Sequence, residues 1–102
     1  MRPFAITLLV ASAALGGCST VQDDVRNDRE AAIARCVRQV DLSGPRFKAH
    51  AMTYMGVSRE SLATTMCDRL ANGVAEGRID QSDINRLIRT GQLTSKFSFL
   101  RG

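Results

Sequence analysis

Three glycines punctuate the chain so regularly that little other than short helices fits between them. Gly56, Gly77 and Gly91 each follow a run of apolar residues at helical spacing. Glycine is the residue that most readily closes a helix in the left-handed conformation. Ahead of the runs stand Ser43, Ser58 and Asp80, whose side-chain oxygens can accept from an orphan N–H in a first helical turn. Each cap is preceded by an apolar residue and followed four positions later by another: Leu42 with Phe47, Val57 with Leu62, and Ile79 with Ile84. Such a hydrophobic staple fixes the angle at which a chain enters a helix. Asp83, three residues after Asp80, makes a short-armed capping box. Pro45 falls in a first turn, where its missing N–H costs little. Helices are therefore predicted over 44–55, 59–76 and 81–90.

A further helix is predicted over 23–40. Asp23 and Asp24 complement the dipole at its start, and Val25, Ala32, Ile33, Cys36, Val37 and Val40 recur at helical spacing. In the helix over 59–76 the stripe is Leu62, Met66, Leu70 and Val74, with Cys67 beside it. In 81–90 it is Ile84, Leu87 and Ile88. The tail from Gln92 carries Leu93, Phe97, Phe99 and Leu100, and the pattern leaves open whether it packs back or stays loose. His50 to Val57 could be read as a strand, but the staple and Gly56 argue for helix. The fold class expected is all-α, a small bundle of about four helices. With no Trp and few aromatics, its core must come mainly from Ala, Val, Leu, Ile and Met. One domain is all that 102 residues support, and a domain of this size often needs a covalent staple.

Residues 1–17, MRPFAITLLVASAALGG, have the order of a secretory signal: a basic Arg2, an uncharged apolar run from Phe4 to Leu15, then the small pair Gly16-Gly17. The apolar run is shorter than the roughly 20 residues of a comfortable membrane span. Leu15-Gly16-Gly17-Cys18 resembles the lipobox of bacterial lipoproteins, and the resemblance covers only the first 18 residues. It implies cleavage before Cys18 and lipid on the Cys18 thiol. Gly at position 16 departs from the more usual Ala or Ser. Ser19 in place of Asp implies delivery to the outer membrane, facing the periplasm, where enterobacteria-like sorting applies. Several acyl chains on one residue hold far more firmly than one. The organisation expected is a signal peptide over 1–17, a lipidated tether over 18–22 and a small helical domain over 23–102.

If lipid occupies Cys18, the remaining cysteines are Cys36 and Cys67. An exported protein occupies a space where disulfides persist, and one intramolecular bond between them is expected to staple the bundle. Free thiols are the main alternative. A redox pair would more often read C-x-x-C, which is absent. Cys36, His50 and Cys67 lack a metal-site spacing.

Little else in the chain points to chemistry. The net charge is +4; without Arg2 of the leader it is +3, and that excess lies in the last quarter. Arg78, Arg86, Arg89, Lys96 and Arg101 stand there against Asp80 and Asp83. A patch of this kind could touch anionic headgroups or an acidic partner, but a solvated surface explains it as well. The stretch 72–83 loosely follows a calcium-loop template, with Asn72 and Glu76 as first and fifth ligands and Asp83 as the last. Val74 stands where an oxygen is required, and a glycine stop followed by an Asp-capped helix accounts for the same letters. His50 is the only histidine, no Gly-x-Ser-x-Gly turn is present, and no Gly-rich phosphate loop occurs. Met52, Met55 and Met66 could line an adaptable groove, although methionines at this spacing are usually core. The expectation is a membrane-anchored envelope lipoprotein, not an enzyme, without cofactor, metal or nucleic acid, whose domain meets another envelope protein. A ligand- or metal-binding accessory domain using 72–83 is the alternative.

Overall fold

The computed structural model describes residues 20–102, so the leader and Cys18 lie outside the described residues. Five α-helices and a 3-10 segment follow one another: α1 (Val21–Asn27), α2 (Arg29–Asp41), α3 (Pro45–Met55), α4 (Arg59–Ala75), α5 (Gln81–Thr90), then Ser95–Arg101. Among the described residues there is no strand. The fold is a small all-α bundle, as the punctuation requires.

The first predicted helix is two helices. It starts at Val21, ahead of Asp23, because Thr20 caps it: Thr20 Oγ1 accepts from the Asp23 N–H, and the Asp23 carboxylate accepts from the Thr20 N–H. It then breaks at Asp28, whose non-helical backbone ends α1 while its carboxylate accepts from the Ala31 N–H to open α2. Val25 and Ala32 are seven residues apart, so both sides of the break keep the same apolar face. Periodicity alone therefore reads straight through it.

The entry to α3 also differs from its predicted form. Gly44 is the N-cap and Pro45 the first helical residue. Ser43 is not the cap; its hydroxyl donates to Gln39 O at 2.9 Å. The register moves by one, the Leu42–Phe47 staple does not form, and Leu42 is 86% exposed. The other two entries match their prediction. Ser58 Oγ accepts from the Ser61 N–H, with Leu62 buried. Asp80 and Asp83 form the reciprocal box, with Ile79 buried.

Helix α4 is the axis of the bundle, packing against α1, α2, α3 and the 3-10 segment. Leu62, Met66, Cys67, Leu70, Ala71 and Val74 are all buried along it. It ends in a paired glycine stop. Arg78 N–H donates to Gly73 O at 2.8 Å and Gly77 N–H to Val74 O at 3.1 Å, with Gly77 at φ 76°. The C-terminal tail packs back. Leu93, Phe97 and Leu100 are buried, Arg69 donates to Leu100 O at 2.6 Å, and the Arg101 guanidinium lies 4.4 Å from the centre of the Tyr54 ring. Phe99 lies directly on Gly73, where a Cβ would come within 2.5 Å of the ring.

Cys36 of α2 and Cys67 of α4 are joined by a disulfide, with Cα atoms 5.7 Å apart. A closed loop of about 32 residues is worth roughly 3–4 kcal/mol in the chain-entropy view, a large share of what a domain this small possesses. Reduction, or paired Cys36→Ala and Cys67→Ala substitution, is expected to lower the melting temperature by roughly 10 °C or more, read by circular dichroism. A second measurement addresses the tail. Gly73→Ala improves helix propensity by about 1 kcal/mol but meets the Phe99 ring. Faster amide exchange over 95–101 is expected as the 3-10 segment loosens.

Candidate functional site

Helix α5 makes the sparsest backbone approaches of any helix, and an apolar groove of about 480 Å³ opens between it and α2 and α4. The groove arises from how each element directs its side chains. Met66, Leu70 and Val74, at helical spacing on α4, are buried against its base. Ile33 and Val40 line it from α2, and the Cys36–Cys67 bridge lies among the lining residues. Ile84, Leu87 and Ile88 line it from α5, where Ile88 is 57% exposed. Val21 and Phe47 complete the apolar wall.

Polar groups are confined to a few positions around this lining. Asp24 of α1 and Arg35 of α2 form an ion pair at 3.6 Å, and Gln39 and Ser43 follow Arg35 at four-residue steps along α2 and its exit. The volume falls in the range of small-molecule pockets, about 300–1,000 Å³. The lining offers dispersion contacts and exclusion of water. Among the described residues it brings together no cluster of groups for proton transfer or nucleophilic attack.

The stretch 72–83 takes a different role from its calcium template. Its oxygens are engaged by the protein itself. Asn72 Oδ1 accepts from Arg29 at 2.8 Å, Glu76 pairs with Arg78 at 2.8 Å, and Asp80 caps α5. Among the described residues no three His, Cys, Asp or Glu side chains converge as a metal site would need. His50 is exposed on α3, its ring 6.1 Å from that of Tyr54. Met66 reaches the groove, whereas Met55 is core and Met52 packs against it. Several of the basic side chains meet partners within the chain while staying exposed: Arg78 pairs with Glu76, Lys96 with Asp83, and Arg101 covers Tyr54. Arg86 and Arg89 have no ion-pair partner among the described residues.

Asp83 is the buried polar residue of the core, 5% exposed. Its carboxylate accepts from the Asp80 N–H at 3.0 Å and pairs with Lys96 at 2.8 Å, linking the start of α5 to the 3-10 segment. The Lys96 ammonium and then the Asp80 N–H hold its carboxyl below the usual carboxylate range, against the opposing effect of burial. Together with a bond from Val21 N–H to Gln81 Oε1 at 2.7 Å, this pair fixes the N-terminal end of α5 and so one wall of the groove. The groove itself was not legible in the sequence, where Ile84, Leu87 and Ile88 read as core.

No family model matches the chain, and neither the curated proteins nor the solved structures contain a match to it.

A carboxyl whose folded-state pKa is depressed stabilises the fold above its unfolded value, near 3.9, and loses that contribution as the pH falls through the lower folded value. Asp83→Asn keeps the oxygen facing the Asp80 N–H but removes the charge facing Lys96. The variant is expected to melt below the wild type at neutral pH. The gap should close as the pH is taken below about 4, read by thermal melts across a pH series.

Proposed function

We propose that this chain is a bacterial envelope lipoprotein. Cys18 carries the lipid, and the helical domain is held at a membrane surface, in the outer membrane facing the periplasm, to meet another envelope protein. Its role is non-enzymatic. The observation that carries the reading is the pairing of cysteines. The bond between Cys36 and Cys67 leaves Cys18 as the single cysteine outside it, directly after the Leu15-Gly16-Gly17 motif. A disulfide also fits an oxidising space.

The start of the fold supports the same reading. Thr20 already caps α1, only two residues after Cys18, so lipid on that cysteine would hold the domain close against the bilayer. Two or more acyl chains make such an anchor stable where one is marginal. A ligand-binding accessory role is the second reading, and the observation that favours it is the apolar groove, not the 72–83 stretch.

The test is metabolic labelling with an alkyne fatty acid, followed by pull-down from detergent-solubilised envelopes. Label is expected on the wild type and lost in Cys18→Ala, with at least one envelope protein retrieved by the wild type alone. An unlabelled wild type rejects the anchor, and an empty pull-down rejects the partner.

A further inference from the structure

The groove between α2, α4 and α5 is too large to be a packing defect and is lined mostly by aliphatic side chains, with Phe47 as the aromatic among them. Three observations say what fits it. Its volume, about 480 Å³, is that of a pocket for a small apolar ligand. Its lining joins an apolar base and walls, from Leu70, Val74, Ile84 and Leu87, to the Asp24–Arg35 pair, one turn of α1 from Val21, while Gln39 and Ser43 follow Arg35 along α2 and its exit. That is the pattern an amphiphile with one long apolar chain and a polar end would need. Val21, the first residue of α1, is itself part of the lining. Cys18 lies three residues before Val21, a span of at most about 10 Å even when fully extended.

We propose that the groove accepts one acyl chain of the lipid on Cys18, folded back onto the domain. The inference rests on the lipidation of Cys18 proposed above and adds a site to it. The chain lies between α2 and α5 over the side chains of α4. Its ester or amide end stays near Val21 and the Asp24–Arg35 pair.

The consequence is a graded anchor. An acyl chain in the groove is removed from the bilayer, and membrane affinity falls with each chain withdrawn. The protein then has a tightly held form, with every chain in the membrane, and a weakly held form with one chain in the groove. An attached chain needs no second molecule to find it, since its effective concentration is set by the short tether.

The experiment uses the full chain made in a bacterial host fed a fatty acid that carries a photoreactive diazirine and an alkyne. The lipidated protein is purified, illuminated and digested, and the products are read by mass spectrometry. The expected product is an internal bridge from the lipid on Cys18 to peptides carrying Ile84, Leu87 or Ile33. Ile88→Glu places a charge on an exposed position of the lining. It is expected to lower the bridged fraction several-fold, because a carboxylate opposes an apolar chain there, while leaving the melting temperature near that of the wild type. Label on Cys18 with no internal bridge overturns this proposal and leaves the lipoprotein reading standing. Adducts at these positions from phospholipid alone, or from a second copy of the chain, overturn it too. A bridged fraction unchanged in Ile88→Glu does the same. Absence of label on Cys18 removes the lipoprotein reading, and this proposal with it.

Discussion

The bond between Cys36 and Cys67 decides where the bundle is tight and where it is open. It holds α2 against the central α4 at a Cα separation of 5.7 Å, in the stretch where Met66, Leu70 and Ala71 are buried. The remaining helices are arranged about that fixed pair. Helix α3 and the 3-10 segment close one side of α4 with Met55, Phe97 and Leu100. Helix α5 is anchored mainly at its N-terminal end and stands away from α2. A covalent link substitutes for apolar area that a domain this small cannot supply by packing alone. That is why the structure can leave an apolar cavity beside its own staple.

Much of the architecture was legible because helix boundaries are local chemistry. Ser58, Asp80, Gly77 and Gly91 act through atoms within one turn of themselves, and the structure places them as their residue types require. The failures were local as well. Asp28 was read as a helix residue because the apolar face on either side of it stays in register, yet its side chain caps a new helix. Ser43 and Gly44 competed for one cap position, and Pro45 decided in favour of glycine because its ring belongs at the first helical residue. Leu42, left outside, faces solvent.

The groove was not legible, for a reason that is not local. Ile33, Ile84 and Ile88 look identical in the sequence whether they close against one another or against nothing. The distance between α2 and α5 depends on how α5 is attached at its start, through Gln81 to Val21 and through Asp83 to Lys96. Those pairs are 60 and 13 positions apart along the chain, and no periodicity announces them. The same holds for Gly73, in the last turn of α4. Its missing side chain makes room for Phe99 and so for the whole C-terminal segment.

The bond from Val21 N–H to Gln81 Oε1 ties the first residue of α1 to the first residue of α5. Force applied at the N-terminus of the domain therefore has a route to α5 beside the one through the packing of α1 on α2 and α4. Because α5 is also the least constrained element, strain entering there would be relieved by tilting one wall of the cavity while the rest of the bundle stays rigid. The amide of Gln81 thus gives the first turn of α1 a direct hold on one wall of the cavity.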